Sequence, residues 1–221
     1  MKRIALIHAV QVAMPPVEEA FRQHWPETKR TNLLDDSLAA DRESAGQLTP
    51  DLSQRIMSLA EYSAGAGADA VLFTCSAFGE AIAAAAHALP IPVLKPNEAM
   101  FDAALDIGGS IGMLATFAPA VASMEDEFRD LARRRGSAAT VETLCVPGAR
   151  AALLAGESEK HDNLIAEAAV KFAHCSAIML AHFSMTSAAQ RTQGLVGCTV
   201  LSAPVSAVLT LRSTFSKDKA R

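Results

Sequence analysis

The sequence predicts an α/β protein built from two similar domains, each with a parallel sheet, and a functional cleft between them. Short apolar runs typical of buried strands alternate with longer patterns typical of helices. Half of the residues are hydrophobic but only 5% are aromatic, which suits helices packed on a sheet better than an all-β fold. The same order of strands also occurs twice along the chain.

The first half alternates strand and helix signals in a regular order. "RIALIHA" predicts the opening strand. "PPVEEAFRQHW" predicts a helix, because prolines suit a first turn and Val17, Phe21 and Trp25 recur at helical spacing. "TKRTNLLDD" predicts a weaker strand, and "TPDLSQRIMSLAEYSAGAG" a helix that Thr49 caps and glycines end. A strand, a helix and a strand then follow in "ADAVLFTC", "SAFGEAIAAAAHAL" and "IPVLKP".

The second half shows the same alternation. "GSIGMLAT" predicts a strand, "FAPAVASMEDEFRDLARRRG" a helix and "TVETLCVPG" a strand. "ESEKHDNLIAEAAVKFAHC" predicts a further helix, and "SAIMLAHFS" and "CTVLSAP" the last two strands. The remaining tail is predicted to be helical, with a charged end, "SKDKAR", that frays.

The two halves match at one constant offset. The aligned pairs, each separated by 107 residues, are Ile4 with Ile111, Ala70 with Ala177, and Val93 with Val200. The same offset places Cys75 opposite His182. Ligands of parallel α/β sheets bind beyond the carboxyl ends of the strands. If the halves face each other across a pseudo-twofold axis, Cys75 and His182 therefore approach one cleft from opposite sides.

Composition excludes several classes of function. The net charge of −4 provides no basic face for nucleic acid, and no apolar run is long enough to cross a membrane. The opening apolar stretch is too short for a signal peptide and has no small-residue cleavage site. The expected location is therefore the cytoplasm, with free thiols. No zinc framework or other metal site is expected, because CxxC spacing is absent among the four cysteines Cys75, Cys145, Cys175 and Cys198.

Cys75 is the strongest catalytic candidate. It lies where a buried strand ends and a helical pattern begins, between two hydroxyl residues. The positive end of the following helix is expected to lower the pKa of the thiol toward neutrality, which would make it a base or nucleophile. The alternative is a small buried apolar residue, since most free cysteines are of that kind.

His182 is the candidate partner of Cys75. An imidazole exchanges protons near neutral pH, so an imidazolium opposite a thiolate would give a matched acid and base. The alternatives are a histidine bonded to the backbone at the strand end, or one that replaces a lost catalytic group. A metal site formed by Cys75, His8 and His182 is conceivable, but no local ligand spacing supports it.

Several residues at the predicted strand ends are candidates for substrate binding. Hydroxyls and backbone N–H groups at helix starts bind anionic oxygens, although ordinary helix capping uses the same residues. The expected substrate-binding residues are His8, Gln11, Thr74, Ser76, Thr116, Phe183 and Ser184.

These motifs resemble the aspartate/glutamate/hydantoin racemase superfamily. The resemblance covers essentially the whole chain. It rests on "FTCSAFG" as the first catalytic-cysteine motif, "IGMLATFAPAVASMEDEF", "LAHFSMTSA" in place of the second cysteine motif, and the paired turns "IPVLKPNEAM" and "TVLSAPVSAV". The superfamily includes cofactor-independent amino-acid racemases, hydantoin racemase, maleate isomerase and arylmalonate decarboxylase. His182 stands where the usual second cysteine would be.

The resemblance implies two domains around a pseudo-twofold axis, with the active site between them. In the family fold the closing helix returns to the first domain. We therefore expect residues 1–97 plus 206–221 in one domain and 98–205 in the other. The implied function is a cofactor-independent racemase, isomerase or decarboxylase that acts on the carbon alpha to a carboxylate. The substrate would be a small acid, amino acid or hydantoin, and self-association is expected. The alternative is a catalytically silent protein that binds a small carboxylate as a sensor.

Overall fold

Two four-stranded parallel sheets organise the chain, as predicted. The computed structural model describes residues 1–217, so most of the end predicted to fray lies outside the described residues. The strands of the first sheet are β1 (Arg3–His8), β2 (Lys29–Leu34), β3 (Ala70–Phe73) and β4 (Val93–Leu94). Those of the second are β5 (Ser110–Ala115), β6 (Thr140–Cys145), β7 (Ala177–Leu180) and β8 (Thr199–Ser202). The strand orders are β2-β1-β3-β4 and β6-β5-β7-β8.

Helices connect the strands. They are α1 (Met14–His24), α2 (Ser37–Ala45), α3 (Pro50–Gly65), α4 (Gly79–Ala88), α5 (Glu98–Ile107), α6 (Val121–Arg134), α7 (Ala149–Leu154), α8 (Ser158–Ala169), α9 (Ala189–Gln193) and α10 (Ala203–Lys217). Sequence patterns do not predict α2, α5, α7 and α9, because short helices depend on packing more than on a long periodic pattern. Within the described residues, none of the helices combines the length and apolar character that crossing a membrane requires.

The internal repeat is confirmed by the backbone pairing. Ile4 of β1 lies beside Ala70 of β3, and Ile111 of β5 lies beside Ala177 of β7. The edge strands β4 and β8 pair with β3 and β7 at positions that keep the same offset of 107 residues. The two sheets are therefore two copies of one arrangement, and their equivalent strand ends carry equivalent positions.

Each inner strand is followed by a short 3-10 turn. These turns are Gln11–Ala13 after β1, Ser76–Phe78 after β3, Ala118–Ala120 after β5 and Phe183–Ala188 after β7. The helix predicted to start at residue 76 therefore begins as a 3-10 turn and becomes α-helical only at Gly79. Four such turns mark the carboxyl ends of the two sheets.

The core is continuous between the halves. One cluster of buried apolar side chains includes residues of β1, β3, β5 and β7 as well as the helices between the two sheets. A smaller cluster lies on the other side of the second sheet. There, Gly112 of β5 lets Phe172 pack directly on the strand, since a Cβ at residue 112 would lie 2.7 Å from the Phe172 ring.

The last helix packs against the first helix. The ring of Phe215 lies 5.9 Å from the ring of Trp25, and Nη1 of Arg212 donates to the His24 carbonyl at 2.8 Å. On this basis we propose that α10 belongs to the first domain. That domain then comprises residues 1–97 plus α10, three residues more than the expected boundary at 206 gives it, and residues 98–202 form the second.

Candidate active site

A cavity lies at the carboxyl ends of both sheets. Its volume is about 80 Å³, whereas a single water needs about 10–15 Å³, so it has room for a small molecule of several non-hydrogen atoms. Both halves contribute to its wall. The polar residues that line it are Thr74, Cys75, Ser76, Thr116, Arg150, His182 and Ser184. The cavity therefore brings Cys75 and His182 to a common space.

Cys75 opens onto this cavity. The residue is partly accessible, but its surroundings are recessed from bulk water. Burial raises the pKa of the thiol to about 11, while the Ala77 N–H and the cations Arg42 and Arg150 act in the opposite direction. The pKa of Cys75 in the structure therefore lies well above the value near neutrality that the sequence predicts. The sulfur lies at the start of a 3-10 turn of only three residues, not at the end of a long helix, and it receives one backbone N–H. The loss of hydration raises the pKa more than this N–H lowers it.

His182 is also neutral in the ligand-free protein. Burial lowers the pKa of its imidazole to about 4, and the nearby His161 and Arg150 lower it further. Its Nε2 is buried and has no hydrogen-bond partner among the described residues. The resting site therefore holds a thiol and a neutral imidazole at neutral pH. It does not hold the thiolate and imidazolium that the sequence leads one to expect.

His161 is a second buried imidazole close to His182. It lies on α8 and is fully buried, so a surface position is excluded. Its Nδ1 lies 2.8 Å from Oδ1 of Asp162, which also accepts from the Ser187 hydroxyl at 2.8 Å. Since a carboxylate only accepts, Nδ1 of His161 donates. Its Nε2 is buried and unpaired within the described part of the chain, as is Nε2 of His182.

His8 does not line the cavity, contrary to the prediction. It is fully buried, with Nδ1 2.9 Å from the Thr74 hydroxyl and Nε2 2.9 Å from Oδ1 of Asn32. The Asn32 amide group donates to Glu18, so its oxygen faces His8 and accepts from Nε2–H. Burial lowers the pKa of His8, and the neutral ring then accepts the Thr74 hydroxyl proton at Nδ1. Both ring nitrogens of His8 are therefore occupied by protein partners, and neither faces the cavity.

This network also changes the expected role of Thr74. Although Thr74 lines the cavity, its hydroxyl has two buried acceptors, Nδ1 of His8 at 2.9 Å and the Ile7 carbonyl at 3.3 Å, and its N–H donates to the same carbonyl at 3.0 Å. It therefore has no proton with which to bind a carboxylate. Gln11 is exposed and lies outside the cavity wall, so its substrate contact stays a prediction.

Three predicted hydroxyls remain available to a ligand. Ser76, Thr116 and Ser184 line the cavity, and in the part of the chain that the structure describes none of these hydroxyls has a hydrogen-bond partner. Phe183 lines the cavity as predicted and is itself buried. The three hydroxyls come from the turns after β3, β5 and β7, so both halves supply donors for an anion.

Arg42 is a functional candidate that sequence reasoning missed. The residue is only 8% exposed, and no carboxylate pairs with it among the described residues. Its Nε donates to the Ala77 carbonyl at 3.3 Å, Nη2 contacts the Pro119 carbonyl at 3.5 Å, and Nη1 is buried without a partner. A buried guanidinium without a counter-charge is costly, so this side chain favours an anion in the adjacent site.

Arg150, unlike Arg42, lies in the cavity wall itself. It pairs with Glu43 of α2 at 2.8 Å and lies over the Phe117 ring, 4.5 Å from its centre. This contact joins α2 of the first half to α7 of the second. The ion pair is partly exposed and contributes at most about 1 kcal/mol. Its main effect here is a positive potential at the cavity, which favours negatively charged ligands.

The low pKa of His182 predicts a loss of stability in acid. The imidazole has a pKa of 6.5 when unfolded and about 4 when folded, so the native state resists protonation. Stability is therefore complete above pH 6.5 and falls as the pH drops toward 4. At pH 4.5 the loss is roughly 2–3 kcal/mol. Urea unfolding at pH 7 and pH 4.5 should show a smaller difference for His182→Asn than for the parent chain.

Replacement of the exposed His87 gives the matched control for this experiment. His87→Asn should leave the parent difference between the two pH values intact. Equal acid sensitivity of the parent and His182→Asn would contradict the burial of a neutral His182.

The chain is similar to known proteins in sequence and in fold. The sequence model of the Asp/Glu/Hydantoin racemase family matches residues 9–211, which is most of the chain. In sequence, the chain has no significant match among curated proteins.

Solved structures of racemases have the same fold. A glutamate racemase from Bacillus anthracis has a TM-score of 0.74 at 16% identity, over 98% of this chain and 82% of its own. An allantoin racemase from Klebsiella pneumoniae has a TM-score of 0.72 at 16% identity, over 99% and 89%. An aspartate racemase from Picrophilus torridus has a TM-score of 0.72 at 13% identity, over 95% and 94%.

Proposed function

Because this chain belongs to the Asp/Glu/hydantoin racemase family, we propose that it is a cofactor-independent racemase or isomerase acting at the carbon alpha to a carboxylate. Cys75 and His182 are its proposed acid–base pair. The observation that carries this proposal is the single cavity that both residues line, at positions related by the internal repeat. Two groups from opposite halves suit a reaction in which a proton leaves one face of a carbon and another arrives at the opposite face.

The cavity wall supplies the binding groups for the carboxylate. Ser76, Thr116 and Ser184 have free hydroxyls that donate to its oxygens, Arg150 contributes positive potential from the wall, and Arg42 does so from behind it. Removal of the alpha proton moves negative charge onto those oxygens. Hydroxyl donors fixed around those oxygens stabilise that charge more than they stabilise the ground state, and this difference lowers the barrier.

The resting protonation state sets the order of proton transfers. The neutral His182 accepts the alpha proton of one enantiomer, and the Cys75 thiol donates its proton to the opposite face. The products are the other enantiomer, an imidazolium and a thiolate. This charged pair is the form that accepts the second enantiomer for the reverse reaction, with the thiolate as base. The Ala77 N–H and the two guanidinium groups stabilise the thiolate when it forms.

The rest of the wall favours an apolar substituent on the substrate. Val10, Val12, Leu153 and Leu154 surround the polar centre. Among the described lining residues there is no Asp or Glu to pair with an ammonium group. We therefore propose a small acid or hydantoin-type substrate with an apolar side group in preference to a zwitterionic amino acid.

Hydrogen–deuterium exchange tests the proposal directly. The protein is incubated in D₂O with enantiopure hydantoins, substituted malonates and amino acids, and NMR follows deuterium at the alpha carbon or loss of CO₂. Exchange accompanied by inversion supports a racemase. Binding of a carboxylate without exchange or turnover would instead support the sensor alternative.

Substitution of Arg42 is expected to affect stability and activity in opposite directions. Arg42→Met replaces a buried unpaired charge by an apolar side chain, so the free energy of unfolding should be unchanged or higher by about 1–4 kcal/mol. The Cys75 pKa should rise, because a stabilising cation is lost, and exchange should slow. Urea unfolding measures the first effect, and mass spectrometry of Cys75 alkylation at several pH values measures the second. Arg42→Lys, which keeps the charge, should fall between the parent and Arg42→Met. Unchanged alkylation in Arg42→Met would contradict the role assigned to this cation.

A further inference from the structure

A second cluster of reactive side chains lies at the other end of the second sheet. Glu142 projects from β6, and His174 and Cys175 form the turn that precedes β7. The strand between them, β5, begins at Ser110 beside this cluster and ends next to the cavity. Its six residues span about 17–20 Å. The cluster is therefore separate from the proposed active site.

Nε2 of His174 lies at metal-site distances from both of the other ligand atoms of this cluster. Sγ of Cys175 lies 3.6 Å from Nε2 of His174, and that nitrogen lies 3.5 Å from Oε1 of Glu142. All three atoms lie within 4.8 Å of one another. Zinc bonds of about 2.3 Å to sulfur and about 2.0–2.2 Å to nitrogen and oxygen give edges of about 3.6 Å and about 3.4 Å in a tetrahedron. The sulfur–nitrogen and nitrogen–oxygen separations match these edges, and the sulfur–oxygen separation lies within 4.8 Å.

We propose that Glu142, His174 and Cys175 form a binding site for a divalent metal ion of the zinc type. The chemical types of the three ligands determine which ion the site prefers. Thiolate and imidazole favour Zn²⁺ over Mg²⁺ or Ca²⁺, which require oxygen ligands. A thiolate and a carboxylate together also balance the charge of a divalent cation. Cys175 loses its thiol proton when the ion binds.

Ser110 supports the arrangement from the neighbouring strand. Its hydroxyl lies 3.3 Å from Oε1 of Glu142 and 3.7 Å from Sγ of Cys175. It therefore contacts two of the three ligands, and contacts of this kind orient metal ligands. The sulfur is buried, whereas Glu142 and His174 are more than half exposed, which leaves a route for the ion and a place for a water as fourth ligand.

The position of the site indicates a structural role. The three ligands come from the elements on both sides of β5, so a bound ion would link β6 to the start of β7 across that strand. It would stabilise the second domain against unfolding and would leave the chemistry at the cavity unchanged.

Cobalt titration of the full-length chain tests this site independently of any activity. Co²⁺ bound to a thiolate gives a charge-transfer band in the near ultraviolet. We expect one equivalent of Co²⁺ per chain to produce this band, Zn²⁺ to displace it, and Zn²⁺ to raise the melting temperature. Cys175→Ala should abolish the band. His174→Ala and Glu142→Gln, which change exposed residues and preserve folding, should each weaken binding by at least about 10-fold.

The matched controls are Cys75→Ala and His87→Ala, which remove a thiol and an exposed imidazole elsewhere. Both should bind cobalt as the parent does. The proposal is overturned if no thiolate band forms, if the band survives in Cys175→Ala, or if His174→Ala and Glu142→Gln bind with parental affinity. A band lost in Cys75→Ala would overturn it too, since that result places the metal in the cavity.

Discussion

Replacing Cys75 with serine is expected to lower kcat/KM for the exchanging substrate by about 10²- to 10⁴-fold. A hydroxyl neither donates nor accepts the alpha proton as readily as a thiol, because its pKa is much higher. Serine is close in size to cysteine and the residue opens onto a cavity, so the fold should be preserved. The measurement is the rate of inversion in D₂O, with urea unfolding recorded alongside.

Cys198 provides the matched control for this substitution. It is also a half-buried free cysteine, but it lies next to β8 and outside the cavity wall. Cys198→Ser should retain the parental rate. If both variants inverted the substrate at the parental rate, the sulfur of Cys75 would have no part in the reaction.

The repeat explains why much of the site could be predicted from sequence. Because parallel strands end at one edge of a sheet, the offset of 107 residues was enough to place Cys75 and His182 at equivalent positions. The hydroxyls of Ser76, Thr116 and Ser184 followed from the same strand ends, and they line the cavity.

The two arginines that the sequence analysis did not identify lie on helices that it did not predict. Arg42 lies on α2 and Arg150 on α7, both shorter than ten residues. A signal was available, since Glu43 and Arg150, which pair across the halves, are themselves 107 residues apart. The pKa values could not be predicted in this way. They depend on how completely the surrounding side chains exclude water, which no spacing in the sequence reveals.

The ligands of the proposed metal site could not be predicted from the sequence for a related reason. Glu142 precedes His174 by 32 residues, so no compact ligand motif is visible in the chain. They meet only because β6 and β7 flank β5 in the strand order. The surroundings of His8 could not be predicted from the sequence either. A histidine at a strand end suggested a ligand contact, but two buried partners occupy both of its ring nitrogens.

Replacing His182 with asparagine is expected to slow inversion by a similar factor, about 10²- to 10⁴-fold, but to leave a one-sided reaction. Without the imidazole, the Cys75 thiolate can still remove the alpha proton of one enantiomer and return deuterium to the same face. Exchange should then continue with retention of configuration for that enantiomer alone. In Cys75→Ser, His182 should exchange the other enantiomer.

The pH dependence of this residual exchange identifies the base. Since burial raises the Cys75 pKa to about 11, the thiolate fraction grows with pH throughout the neutral and mildly alkaline range. Exchange in His182→Asn should therefore rise with pH up to that value. In Cys75→Ser the neutral imidazole is already the dominant form above pH 4, so exchange should be flat over the same range. Two variants that exchanged the same enantiomer, or neither, would show that Cys75 and His182 do not act on opposite faces of one carbon.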